Sequence, residues 1–138
     1  MSLNCASFLF VNHNEIRLIK NNETLKYKLI IEKCTVKPSK FPPDSEGVAY
    51  VDLSLTGENF EWRNRNDGDF IHPLGLKGKQ KLKKYLSEKG IPKDKRDKML
   101  FLCQGTEVFW APTLGISEKI KVKNNPTHIL KLEKIYED

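Results

Sequence analysis

Residues 79–90 read KQKLKKYLSEKG, and the fold class turns on this stretch. Leu82, Tyr85 and Leu86 recur at i, i+3 and i+4, which places them on one face of a helix, and lysines fill most of the other positions. The pattern predicts an amphipathic helix over 79–89. Gly90 sits where a helix reverses into a left-handed residue, and Pro92 prevents its continuation. A short second helical turn is expected over 93–98. No other segment has a helical period of this strength, so the rest must be read for strands.

Outward toward the N-terminus the period is two. Ser7–Val11 is a short apolar run, and Glu15–Ile19 alternates. Asn12-His13-Asn14 between them is rich in residues that tolerate turn geometry, which predicts a hairpin. Asn21-Asn22 predicts a second turn. Leu25, Tyr27, Leu29 and Ile31 then alternate with Lys26, Lys28 and Ile30, a half-buried strand expected to run to Val36. Pro38 to Gly47 holds Pro38, Pro42, Pro43, Asp44 and Gly47, a loop and a candidate hinge. Val48–Leu55 and Phe60–Arg63 return to strand character around a Gly57-Glu58-Asn59 break.

Beyond the helix, strands are expected over Met99–Cys103, Glu107–Trp110, Ile116–Val122 and His128–Ile135. Gln104-Gly105 suits a hairpin turn between the first two. The class is therefore α+β, mostly antiparallel or mixed strands with one main basic amphipathic helix. The division expected is a strand-rich part over 1–58, with Met1–Leu3 reading as an added leader, and a second domain over 59–138. The sequence contains no internal repeat and no low-complexity run.

The chain carries 24 Lys and Arg against 18 Asp and Glu, a net charge of +6. The excess is local. Residues 77–98 hold ten cations against three carboxylates, Glu88, Asp94 and Asp97, a net +7. The helix and its flanks thus carry the basic character. Two readings stay open: a solvated lysine face, or a surface for a polyanion, whose phosphates lysines meet as point charges.

Catalytic constellations are missing from the sequence. Gly75 to Gln80 contains Gly-Lys, but a phosphate loop needs four residues between its glycines and Ser or Thr after the Lys. No Ser-Gly-Gly-x-Asp-Ser loop for ATP occurs. Asp67-Gly68-Asp69 reads as a tight turn, and His13, His72 and His128 lack partners at ligand spacing. Cys5, Cys34 and Cys103 are widely separated, with no C-x-x-C pair, which points to reduced thiols in a cytoplasmic protein. Cys103 reads as a buried thiol. No apolar run approaches the ~20 residues of a membrane span, so no membrane partner is expected. Arg63 and Arg65 alternate around Asn64. They either fork onto phosphates or pair with Asp67 or Asp69. Trp62 and Trp110 either stack on bases or belong to the core.

In order, residues 62–117 present Trp62-Arg63-Asn64-Arg65-Asn66-Asp67-Gly68-Asp69, Pro73-Leu74-Gly75, Gly78, Lys81-Leu82-Lys83-Lys84, Ile91-Pro92, Arg96-Asp97 and Trp110-Ala111-Pro112. This succession resembles the C-terminal domain of tRNA(Ile)-lysidine synthetase, over roughly residues 48–135. Three positions depart from the pattern. Gln80 stands where the family often has Lys, Leu100 where it has Pro, and Thr113 where Gly commonly follows the W-x-P element.

The resemblance implies a fold like a domain of the phenylalanyl-tRNA synthetase β subunit. It also implies a parent enzyme that uses ATP, with Mg, to join lysine to the wobble cytidine of an isoleucine tRNA with a CAU anticodon. Catalysis would lie in an N-terminal adenylation domain, a partner of this one. This chain would hold no cofactor and no catalytic residue. It would grip tRNA toward the acceptor end through Lys79, Lys81, Lys83, Lys84 and Arg96, with Arg63 and Arg65. The competing expectations are a protein-interaction module, with the strands of 7–55 building a homodimer, and a free-standing RNA-binding domain.

Overall fold

The structure, a computed structural model, describes residues 7–12, 15–19 and 26–135, with side chains over 29–133. Its strands are β1 (Ser7–Asn12), β2 (Glu15–Ile19), β3 (Lys26–Lys33), β4 (Val48–Val51), β5 (Glu61–Arg63), β6 (Phe70–Ile71), β7 (Gln80–Lys81), β8 (Phe101–Gln104), β9 (Glu107–Ala111), β10 (Gly115–Ile116) and β11 (His128–Ile135). Two α-helices, α1 (Leu82–Glu88) and α2 (Lys93–Arg96), lie between β7 and β8. The α+β class read from the sequence holds. The Asn21-Asn22 turn and Cys5 lie outside the described residues, as does the link between β1 and β2, which pair antiparallel.

The chain forms two compact units. One is the chain up to Asp52 together with the segment from Val122 on; the other is Leu53–Lys121. The boundary expected near residue 58 compares with Asp52 here, and the last strand groups with the first unit. That unit is a sheet of order β1-β2-β3-β11-β4, antiparallel throughout. β11 inserts between β3 and β4, Leu130 lying opposite both Ile31 and Ala49. Leu29, Ala49, Val51, Ile129 and Leu130 are buried. β3 stops at Lys33 rather than Val36 because its partner starts at His128. One more bond, from Cys34 N to Thr127 O, closes the ladder.

The second unit is built on a mixed sheet of order β5-β8-β9-β6-β7, with β10 on β9 and β6 parallel to β9. On one face Ile71, Phe101, Cys103, Val108 and Ala111 pack against Leu82, Tyr85 and Leu86 of α1. This is the helix face the i, i+3, i+4 pattern assigns. The register shifts at the β8–β9 hairpin: Leu102 faces Trp110 and Cys103 faces Val108, so Phe109 is an extra residue, a β-bulge. The bulge switches the alternation of β9. Trp110 thereby joins Trp62, with ring centroids 6.3 Å apart, and both are 2% exposed. Both tryptophans are core.

β4 ends at Val51 where the expected strand ran to Leu55, and two boundaries in the second unit also differ from expectation, each for a local reason. The helix begins at Leu82, not Lys79, because Gln80–Lys81 pair with Phe70–Ile71 and Leu82 N donates to Asp69 O. It ends as the sequence predicts: Gly90 takes φ 76, Gly90 N donates to Ser87 O and Ile91 N to Leu86 O, the paired bonds of a left-handed helix stop. The strand expected over Ile116–Val122 is only β10. Ser117 ends it, its side chain accepting from Lys119 N to cap a 3-10 turn over Glu118–Ile120.

Candidate nucleic-acid interface

The seven basic residues that the sequence nominates fall into three groups. The first faces solvent. Lys79, Lys81, Lys83 and Lys84 are all exposed, on β7, its approach and the outer face of α1. Among the described residues, Lys81, Lys83 and Lys84 have no carboxylate partner. Lys79 Nζ is held 4.8 Å over the Phe70 ring, a cation–π contact. Glu88, the acid of this helix, accepts from Gln80 Nε2 at 2.9 Å.

The second group is structural. Arg63 Nη1 and Nη2 donate to Asp69 Oδ2 and Oδ1 at 2.8 and 2.9 Å, a two-pronged ion pair. Nη2 also donates to Gly105 O at the β8–β9 turn, and Nη1 to Asn64 O. The Asp69 hydrogen bond, working against burial, holds the guanidinium above its ordinary pKa. Asp69 in turn accepts from Asn66 N at 2.7 Å, which closes the Asn66–Asp69 turn, and Gly68 takes φ 88 there. Arg96 is also inward, 8% exposed, its Nε donating to Ile91 O at 2.8 Å.

Arg65 stands alone between these extremes. β5 ends at Arg63, so the period-two pattern that would aim both arginines one way does not continue. Arg65 reaches Asp97, Nε and Nη2 meeting the same oxygen, Oδ1, at 3.0 and 2.9 Å. The side chain of Asp97 is 72% exposed. Asn64 Nδ2 donates to Met99 O and anchors the segment between the two arginines.

Arg65, Asn66, Asp67, Gly68 and Asp69 form one wall of a shallow cleft of about 210 Å³, and Lys81, Leu82 and Lys83 the other. Three sequence-selected cations thus meet at one depression. Lys84 and Lys79 flank it in sequence, while Arg63 and Arg96 are committed elsewhere. Asp97 was legible only as part of the Arg96-Asp97 pair; its partner lies 32 residues away, a separation no local pattern encodes. On a second, more open depression, His72 Nδ1 and Lys119 Nζ both meet Glu107 Oε2 at 2.9 Å, and Glu118 accepts from Gly75 N. Among the described residues no group of His, Cys, Asp and Glu is placed to hold a metal ion.

The family model described as the TilS substrate C-terminal domain matches residues 60–133. The chain belongs to this family. The match spans the second unit from Phe60 and runs on through most of β11. Among relatives, the tRNA(Ile)-lysidine synthase of Clostridium tetani is 40% identical over 86 residues, 62% of this chain and 18% of that protein. The enzyme of the same name from Caldanaerobacter subterraneus subsp. tengcongensis is 29% identical over 138 residues, 88% of this chain and 30% of the relative. This TilS-type chain therefore spans well under half the length of these curated relatives. A solved structure described as the crystal structure of TILS C-terminal domain superposes with a TM-score of 0.64 at 23% identity, over 80% of this chain and 86% of that one. That likeness fixes the fold. No helix among the described residues is long and apolar enough to cross a membrane.

Proposed function

We propose that this chain is the tRNA-gripping C-terminal part of a tRNA(Ile)-lysidine synthase, and that the β7–α1 face does the gripping. The relatives bear that enzyme's name, and the observation that carries the reading is the exposure of Lys81, Lys83 and Lys84, without carboxylate partners among the described residues, at and beside the Arg65 cleft. Like charges crowded on one short element repel one another, and a polyanion relieves that repulsion. Lysine heads on flexible stems suit an A-form stem, which proteins recognise through phosphates, 2′-hydroxyls and shape rather than through base edges. The acceptor end of an isoleucine tRNA is the partner proposed.

Lys79, Lys81, Lys83, Lys84 and Arg65 are the residues proposed to touch RNA. Arg63 and Arg96 support them: the first fixes the turn that carries one wall of the cleft, the second fixes the segment that carries Asp97. The ATP-dependent joining of lysine to the wobble cytidine is assigned to an adenylation domain of the parent enzyme. In the loop over 73–78, Leu74 and Leu76 are exposed, and the loop leads into β7.

The test is a titration of the chain with an isoleucine tRNA carrying a CAU anticodon at several salt concentrations. Replacing Lys81, Lys83 and Lys84 with Ala should flatten the dependence of log affinity on log salt by about 0.7–0.9 for each phosphate that is no longer neutralised. Unchanged affinity and slope in the folded triple variant would refute the reading.

A further inference from the structure

We infer that the Arg65 cleft is a seat for a single phosphate group, and that Asp97 occupies its guanidinium until a phosphate displaces it. The inference rests on the proposed RNA grip, but it concerns one site and can be tested without RNA.

Two arginines, two residues apart, are treated oppositely by the fold. Arg63 meets Asp69 through two parallel bonds to two oxygens, and the side chains are 11% and 1% exposed. Such a pair does not exchange partners, because removing either member strands the other in a dry site. Arg65 meets Asp97 through a single carboxylate oxygen, and the side chains are 25% and 72% exposed. An exposed pair of this kind is weak and open to competition.

The competitor's chemistry follows from the walls. Arg65 presents a planar fork, which matches the geometry of a phosphate as well as that of a carboxylate. Lys81 and Lys83 stand on the opposite wall, and their ammonium groups add charge without demanding direction. A phosphate placed there gains three cations, whereas Asp97 engages only Arg65 among them. The acids at the cleft do not all oppose it: Asp69 is neutralised by Arg63 and by Asn66 N, which leaves Asp67 as the one lining carboxylate without such compensation among the described residues. At about 210 Å³ the cleft suits one phosphate group rather than a stretch of duplex. Asp97 is therefore an internal stand-in for the ligand. It keeps Arg65 oriented when the cleft is empty, and it sets a threshold that a weakly held anion does not cross.

The experiment uses the 138-residue chain and inorganic phosphate as the probe, against chloride at matched ionic strength. Amide and Arg Nε–H resonances are followed by NMR. The expected result is a saturating shift confined to Arg65, Asn66, Gly68, Lys81 and Lys83. Asp97→Asn should tighten phosphate binding by about two- to fivefold, the span an exposed pair's strength allows. Asp94→Asn is the charge-matched control. It removes the same charge from α2 but not the Arg65 partner, and should change binding by clearly less. Arg65→Lys, which keeps the charge and loses the fork, should cancel the gain of Asp97→Asn. Equal gains from Asp94→Asn and Asp97→Asn would mean general electrostatics and overturn the exchange. Shifts that never saturate, or that spread over all exposed lysines, would overturn the seat. A confined, saturating shift in a chain that fails to bind tRNA would keep the seat and sink the RNA reading, so the two failures are distinct.

Discussion

The guanidinium of Arg63 and the carboxylate of Asp69 are matched prong for prong, at 2.8 and 2.9 Å, in a site where the Asp69 side chain is 1% exposed. The same guanidinium bonds Gly105 O, and the same carboxylate bonds Asn66 N. One ion pair therefore joins the end of β5, the Asn66–Asp69 turn and the tip of the β8–β9 hairpin. Asp69→Ala should destabilise the chain by about 3–5 kcal/mol, since it takes the two-pronged partner from a buried guanidinium, leaving it only the Glu61 carboxylate at 3.7 Å, and strips Asn66 N of its side-chain acceptor. Asp97→Ala, at the exposed Arg65 pair, should cost no more than about 1 kcal/mol. Urea denaturation of the two variants compares them directly. Equal losses would show that burial does not separate the pairs.

Cys103 lies on the helix-covered face of the same sheet and is fully buried. Burial pushes its thiol up to about 12, against the pull of the Arg63 guanidinium. An unfolded cysteine ionises near pH ~8.5. The unfolded chain thus loses its thiol proton first, and the folded chain binds more protons between these values. By linkage the stabilisation is fully present below pH ~8.5 and is lost as pH rises toward 12. In a background with Cys5 and Cys34 replaced by Ser, Cys103→Ala should lose less stability than its parent between pH ~9 and ~11. A thiol reagent at about pH 8, below the unfolded thiol's range, should label Cys103 only as fast as the chain opens. Immediate labelling under native conditions would contradict the buried state.

Arg96 supplies a contrast between a charge that holds the fold and charges that face outward. Its Nε satisfies Ile91 O just after the α1 stop. Arg96→Met keeps the apolar stem but orphans that carbonyl, and should cost about 1–3 kcal/mol. Lys83→Ala, on an exposed helix position, should change stability by no more than ~0.5 kcal/mol. Under conditions where both are folded, the RNA reading expects the larger loss of tRNA affinity from Lys83→Ala. Thermal melts and tRNA titrations on the two proteins read both quantities, and the reverse ordering in affinity would place Arg96 on the RNA.

That difference between arginines and lysines explains how much was legible in advance. Leu82, Tyr85 and Leu86 announce their buried face because helical period is written in adjacent residues. The Gly90 stop and the Gln104-Gly105 turn are likewise local. What was not legible is long-range. Alternation shows that His128–Ile135 is a strand, but not that it slots between β3 and β4, since pairing partners leave no mark on local period. The Phe109 bulge hid in a run of apolar residues, where each face looks alike. The roles of the arginines turned on which carboxylate each reaches, six residues away for Arg63 and 32 for Arg65. Composition placed most of the cations on residues 77–98 and sequence pattern added Arg63 and Arg65; only the fold separates Lys81 and Lys83, which line the cleft, from Arg63 and Arg96, which hold its frame.

One departure from the family pattern has a structural cost. Thr113, named above as a departure from the pattern the sequence resembles, takes φ 69. The turn is closed by Leu114 N donating to Ala111 O at 2.9 Å, with Pro112 and Thr113 at its centre. Pro followed by a positive-φ residue is the pattern of a type II turn, whose third position favours Gly. A left-handed backbone costs an L-residue about 1–2 kcal/mol, and a β-branched side chain lies at the upper end. Glycine removes that strain but gives the unfolded chain back some entropy, worth roughly 0.5–1 kcal/mol. Thr113 is exposed, so its side chain has no core packing to give up. Thr113→Gly should therefore raise stability by about 0.5–1 kcal/mol, seen as a higher urea midpoint at unchanged slope. Thr113→Ala keeps a Cβ at the same φ and should recover only a fraction of the gain. If Ala matched Gly, the strain would lie in the β-branch rather than in the left-handed backbone.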